Sequence, residues 1–338
     1  MKLQNPLRTL SVRALLLAGL VLCLLLPAVA SAQLSAQGKN WRVSFRTQFE
    51  HDSNLAQLPE NQAFRPASLS SGSDSGFNWN GNATFVHQFN DRLRITADYD
   101  IDMHKWDSLE QYDTLTQMYG LKPSYKISDN MFASLQYFFI WNHASGYDLP
   151  NDTFSVVQYV NPSITHMHKK FGMTRLGFRY SYDDNKATNA RDTHTYGFSL
   201  DHIYMVTKGF SIGGGYALRV QDSAHAAFER NVHDFRVKTK TALPAGIDFL
   251  GEYRFSLRDY DNNFSAYTSF LANTPGTFSR EDAQHNFTFE LRKTLWTKLA
   301  FLHNVRARLS WVHRYNESNF NFREYQSDLF RGGFDLRF

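Results

Sequence analysis

Apolar and polar residues alternate with a period of two in long runs that reach the last residue, and this pattern most limits how the chain can fold. A period of two sets successive side chains on opposite faces of a β-strand. In the first run Trp41, Val43, Phe45 and Phe49 fall on one side, and Arg42, Ser44, Arg46, Gln48 and Glu50 on the other. In the second, Phe77, Trp79, Ala83, Phe85 and Phe89 face away from Asn78, Asn80, Asn82, Thr84 and Gln88. In the third, Leu93, Ile95, Ala97, Tyr99 and Ile101 alternate with Arg92, Arg94, Thr96, Asp98, Asp100 and Asp102. Further strands read at 114–127, 131–142, 153–166, 173–183, 193–205, 210–221, 231–243, 247–259, 283–295, 305–316 and 322–338, about fourteen in all. Pro162 interrupts one of them.

The links between runs alternate in length. Asn90-Asp91, Ser128-Asp129-Asn130, Val206 to Gly209 and Pro244-Ala245-Gly246 are short and turn-like. The links 51–76, 143–152, 184–192, 222–230 and 260–282 are longer and polar. Such alternation belongs to an up-and-down membrane barrel with tight turns at one end and loops at the other. The link 296–304 is long for its side, and its Leu299, Phe301 and Leu302 read as a short amphipathic turn. A secreted β-sandwich or β-helix shares the period. Its strands usually run to about 5–6 residues, however, whereas a tilted strand crossing lipid takes about 9–11. Many of the runs here reach ten or more.

Composition agrees with a barrel. Aromatic residues make up 15% of the chain, yet its mean hydropathy is −0.45. An apolar outer band, a polar lumen and aromatic girdles produce that pairing. No apolar stretch after residue 32 is long enough for a spanning helix. The first 32 residues read as a cleaved secretory signal. Lys2, Arg8 and Arg13 precede an apolar run from Ala14 to Leu26, and Ala30-Ser31-Ala32 supplies an A-x-A site before Gln33. Residues 33–40 then form a short periplasmic segment, and the barrel spans 41–338 with both ends expected in the periplasm. Cleavage would remove Cys23, the single cysteine, and with it any disulfide or thiolate chemistry. Without the three leader cations, 36 Lys+Arg become 33 against 32 Asp+Glu, so a nucleic-acid surface is not expected.

The chain ends Phe330, Gly332, Phe334, Leu336, Phe338 at every second position. This resembles the C-terminal signature read by the barrel-assembly machinery of Gram-negative outer membranes. The resemblance implies that machinery as a partner, together with outer-membrane lipid and lipopolysaccharide. At the end of the first strand, Phe49-Glu50-His51-Asp52-Ser53-Asn54-Leu55 resembles the aromatic-x-D-S-N element that opens the barrels of surface lipoprotein assembly modifiers and related exopolysaccharide-export barrels. That resemblance implies a fourteen-stranded barrel, an export activity and a periplasmic export partner. In that family a helical-repeat domain commonly precedes the barrel. Here about eight residues separate the expected cleavage site from the first strand, so no such domain is expected.

If the apolar face meets lipid, the polar face lines a lumen. That face carries Arg42, Arg46, Arg92, Arg94, Arg175, Arg179, Lys238, Lys240, Arg254, Arg258, Arg306, Arg308, Arg314, Arg331 and Arg337. Its acidic residues are Glu50, Asp98, Asp100, Asp102, Asp248, Glu252, Glu290 and Asp335. Two roles are open for these charges, pairing across the wall and selection of anionic solutes. Asp98, Asp100 and Asp102 are expected to meet Arg92 and Arg94, or to form a cation patch near the rim. The links 51–76 and 260–282 are long enough to fold inward as a plug, the second with Phe264, Tyr267, Phe270, Leu271 and Phe278.

Enzyme signatures are missing. Nothing resembles a nucleophile elbow or an H-E-x-x-H zinc site. His166 and His168 share a strand face without a nearby carboxylate, a poor metal pair. Asp201 and His202 fall on opposite faces, and Gly213-Gly214-Gly215 reads as a bend or close-packing point in the wall. No cofactor is implied. The reading that follows is a transport pore, passive or exporting, with a basic-biased lumen. The alternatives are a plugged barrel that binds through its loops and, less favoured, a rim enzyme.

Overall fold

A computed structural model of the chain describes residues 40–57, 72–144, 153–168, 172–185, 191–225, 228–260, 280–299, 302–319 and 323–338. Fourteen strands account for nearly all of them: β1 (Trp41–Asp52), β2 (Asp74–Gln88), β3 (Leu93–Trp106), β4 (Thr114–Ser128), β5 (Met131–Ala144), β6 (Thr153–His168) and β7 (Gly172–Asn185). They continue as β8 (Thr193–Thr207), β9 (Phe210–Ser223), β10 (Arg230–Leu243), β11 (Ile247–Tyr260), β12 (Arg280–Leu299), β13 (Leu302–Ser318) and β14 (Tyr325–Arg337). Each pairs antiparallel with its sequence neighbours, and β1 pairs with β14, which closes the barrel. Among the described residues no helix is long and apolar enough to cross a membrane.

Closure explains why the strands are long. In hydrocarbon every backbone N–H and C=O must be paired within the protein, and a closed barrel leaves no edge. Strands of 12 to 20 residues exceed the minimum crossing length. Rows of paired residues therefore keep one face throughout. Phe49, Gly332, Leu309, Leu291 and Phe249 form one row across five strands. Phe49 is 49% exposed and Leu309 62%, so this apolar row looks outward. The row beside it, Glu50, Arg331, Ser310 and Glu290, looks inward, and Glu50 is 0% exposed. Outward rings gather toward the long-loop end as hydrogen-bonded pairs: Tyr180–His194 (3.1 Å), Tyr216–His233 (2.8 Å) and Tyr253–His285 (2.9 Å). Such amphipathic rings suit a membrane–water interface.

Three local features depart from or refine the sequence reading. Leu299 and Leu302 pair across the β12–β13 hairpin and do not form an amphipathic turn, because β12 carries a bulge between Thr294 and Trp296 and runs further than its alternation suggests. Phe301 lies outside the described residues. Pro162 stays within β6, where the β6–β7 ladder skips Asn161 and Pro162. In the orientation that satisfies both ends of its amide, Asn161 donates to the Phe178 carbonyl at 2.7 Å, replacing the N–H that proline lacks. The β10–β11 turn holds Ala245 at φ 61°, ψ 21° before Gly246 at φ 69°.

The left-handed backbone at Ala245 costs a non-glycine residue roughly 1–2 kcal/mol. Ala245→Gly is expected to stabilise the barrel by about 0.5–1 kcal/mol once the greater freedom of unfolded glycine is counted. A higher urea midpoint for the folded barrel in detergent checks this. An unchanged or lower midpoint means that the turn is not strained.

Candidate functional site

The register places Arg42, Arg46, Arg94, Arg175, Arg179, Lys238, Lys240, Arg254, Arg258, Arg306, Arg308, Arg314, Arg331 and Arg337 on inward rows. Arg92 is the exception. It lies in the β2–β3 turn, where its N–H donates to Asn90 Oδ1 (2.9 Å) and its carbonyl accepts from the Lys126 N–H (2.8 Å). The alternation that suggested an inward Arg92 runs one residue past the true start of β3.

Several inward charges near the long-loop end are buried and paired. Glu50 accepts from His104 Nδ1 (2.6 Å) and Arg331 Nε (3.1 Å), and His104 Nε2 lies 3.0 Å from Asp102. Asp234 is held by Arg219, by Arg254 (2.9 Å) and by the Ser256 hydroxyl. Asp282, 0% exposed, pairs with Arg280 and accepts from Ser318 Oγ at 2.7 Å. A charge taken out of water needs such partners, because an isolated buried ion costs several kcal/mol.

Asp98, Asp100 and Asp102 do not meet arginine. They accept from Thr84 (2.8 Å), Asn82 (2.7 Å) and Asn78 (2.8 Å) on β2. The polar residues opposite β3 decide this, because the register sets each of these three carboxylates directly or diagonally beside them. Among the described residues no group of three histidine, cysteine or acidic side chains is arranged to hold a metal. His166 and His168 face outward, bonded to Asn130 (2.9 Å) and Thr174 (2.8 Å). Gly215 has a specific use. Asp201 and Arg236 flank it on β8 and β10 and pair across it, and a Cβ at Gly215 would run into the Asp201 carboxylate.

Toward the short-turn end the lumen wall changes character. Arg42, Arg94, Lys240 and Arg337 are exposed there, and among the described residues none has a carboxylate at ion-pair distance. Lys238 pairs with Glu252 at 3.0 Å. Sequence reasoning passed over His104, Arg219, Arg230, Arg236, Arg280 and Arg292. Arg292 and Arg236 were within reach, since both share a face with residues already assigned inward. His104 lay beyond the expected end of β3.

Asp52-Ser53-Asn54 clasps the seam. Asp52 Oδ1 accepts the Asn54 N–H (2.9 Å) and the Ser327 hydroxyl (2.6 Å), and its other oxygen lies 3.6 Å from Arg314. Ser53 exchanges two bonds with Asp328: its N–H donates to the carbonyl (2.9 Å) and its hydroxyl accepts the Asp328 N–H (2.8 Å). Asn54 Nδ2 donates to the Gln326 carbonyl (2.9 Å). The element thus ties the end of β1 to β14. The sequence pattern of surface lipoprotein assembly modifiers matches residues 41–334, the barrel from β1 into β14. The chain belongs to that family. It is an outer-membrane β-barrel, and Asp52-Ser53-Asn54 is the clasp that shuts it.

No curated protein matches the chain. Among solved structures, it is similar to the outer-membrane channel DcaP of Acinetobacter baumannii at 10% identity, covering 88% of this chain and 96% of that one with a TM-score of 0.48. An anion-selective porin from Comamonas acidovorans is 7% identical over 88% and 98%, with a TM-score of 0.47. OmpT, an outer-membrane protein of Vibrio cholerae, is 8% identical over 90% and 99%, with a TM-score of 0.45.

Asp52→Ala would leave Arg314 and Ser327 without their acceptor inside the wall. We expect a loss of about 2–4 kcal/mol, the range for breaking a buried charged cluster. It is read as a lower temperature at which the folded band disappears in SDS electrophoresis. Gly215→Val is expected to act in the same direction by separating Asp201 from Arg236, whereas Gly214→Ala, with open space around it, should have little effect.

Proposed function

We propose that this member of the family is a transport pore whose open vestibule faces the periplasm and whose basic wall favours anionic cargo. The observation that carries the reading is the contrast within the lumen. Unpaired, exposed Arg42, Arg94, Lys240 and Arg337 stand at the short-turn end, and buried ion pairs stand toward the loops. Exposed cations that stabilise no partner remain available to a passing solute, as rings of arginine and lysine are in anion pores. Short turns belong on the periplasmic side of outer-membrane barrels, which would put both chain ends there. The chain's family is that of the surface lipoprotein assembly modifiers, and a vestibule open to the periplasm would fit cargo moving outward. Phe330, Phe334 and Leu336 on the outward face of β14, with Phe338 just past its end, would serve the barrel-assembly machinery before meeting lipid.

A second reading has its own support. The complete burial of Glu50, Asp282 and Ser327 near the loop end suits a lumen closed on that side, with the barrel acting through its loops or opening only with a periplasmic partner. Of the expected plug segments, 58–71 and 261–279 lie outside the described residues.

Single-channel conductance in a planar bilayer under a salt gradient separates the two. The pore reading expects stable, anion-preferring steps at low salt. It also expects Arg42→Glu with Arg94→Glu and Lys240→Glu to reverse the preference, since the three lie outside the ion-pair clusters and can change without unfolding the wall. A silent barrel overturns passive conduction and leaves the gated or loop-binding reading.

A further inference from the structure

The wall made by β12, β13, β14 and β1 collects more guanidinium groups than its carboxylates can balance. One inward row holds Gln48, Gly333, Arg308 and Arg292, and the next holds Arg46, Asp335, Arg306 and Thr294. Arg337 follows in a third row beside Ser44 and Asn304. Both carboxylates in reach are occupied. Glu290 binds Arg292 and Arg308, and Asp335 binds Arg46 at 2.5 Å. Arg306 has no carboxylate partner among the described residues. Its Nε–H, with the Nε–H and one Nη of Arg308, is buried without any hydrogen-bond acceptor. Gly333 draws the strands together at this height, because a Cβ there would run into the Thr47 carbonyl of β1.

Buried guanidinium donors without acceptors are costly, and several packed like charges add repulsion. One ligand class removes both costs. We propose that Arg306 and Arg308, backed by Arg46, Arg292 and Arg337, form a binding site for a phosphoryl group, as free phosphate or as a phosphate monoester. Arg306 and Arg308 lie two residues apart on one strand, about 7 Å along it. A tetrahedral, doubly charged oxyanion accepts from two forks at once through separate oxygens. Three unpartnered guanidinium nitrogens and a local surplus of more than one positive charge match that ion. The site stands whether or not the barrel conducts.

The test is thermal unfolding of the purified protein in detergent, in chloride buffer free of phosphate. Inorganic phosphate or glycerol 3-phosphate is then added against chloride of equal ionic strength. The midpoint is expected to rise saturably with phosphate and not with chloride. A matching response to glycerol 3-phosphate assigns the site to phosphate monoesters, and a response to phosphate alone assigns it to the free anion. Arg306→Gln breaks no ion pair, so it should raise the midpoint in chloride and weaken the phosphate response about tenfold or more. Arg306→Lys keeps the charge, loses the fork and is expected to weaken it as well. Lys240→Gln, outside the cluster, should respond as the parent does. No gain over chloride, or a parent-like response in both Arg306 variants, overturns the site. A barrel that conducts yet ignores phosphate removes the site and keeps the pore; a silent barrel stabilised by phosphate does the reverse.

Discussion

Closure of β1 onto β14 is the contact on which the rest of the molecule depends. The other thirteen strand pairs join neighbours in sequence, where a turn or loop holds the partners together. The seam joins the first strand to the last and must be formed after the whole chain is in place. Left open, it would present two rows of unpaired backbone groups to hydrocarbon, each costing several kcal/mol. Chemistry is concentrated there accordingly. The Asp52-Ser53-Asn54 clasp bonds to Gln326, Ser327 and Asp328, and the inward rows add Arg46–Asp335 and Glu50–Arg331. The ladder itself is short, from Ser44–Arg337 to Asp52–Leu329, so side chains supply what backbone pairing does not.

Stapling a seam with ion pairs has a consequence for the lumen. Such pairs must face inward, because the outward rows meet lipid and carry Phe49, Gly332 and Leu309. The wall nearest the seam therefore becomes the most highly charged part of the barrel. Where it is buried, toward the loops, charges are matched almost one to one, as Glu50 is by His104 and Arg331. Toward the turns water is available, the penalty for an unmatched cation falls, and Arg42 and Arg337 stand exposed. Basic surplus and exposure to water coincide for the same electrostatic reason. Arg306 and Arg308 lie between these regimes, half-buried, with Glu290 and Asp335 already engaged.

Much of the fold was legible in the sequence. A period of two assigns each residue a face, so fourteen strands, their order and the lipid and lumen sides of nearly every residue followed from alternation and link length. Boundaries slipped where the pattern ran on into a turn, as at Arg92, or where a bulge reset the period, as between Thr294 and Trp296. The roles of the charges were not legible. A face is a binary property of one strand, whereas a partner depends on the relative height of two. Asp98, Asp100 and Asp102 were therefore expected to meet arginine or to form a cation patch, and instead found Thr84, Asn82 and Asn78.

The same limit separates a charged surface from a site. Arg306, Arg308 and Arg314 are equivalent in the alternation of β13. Register divides them: Arg314 reaches Asp52 at the clasp, Arg308 shares Glu290 with Arg292, and Arg306 stands beside an Asp335 already taken by Arg46. One arginine is structural, one is half-engaged and one has its Nε–H buried without an acceptor, although each is two or six residues from the next on a single face. Sequence supplies the donors. Only the heights of β1, β12 and β14 against β13 determine which donors the protein uses for its own closure and which remain for something that enters from outside.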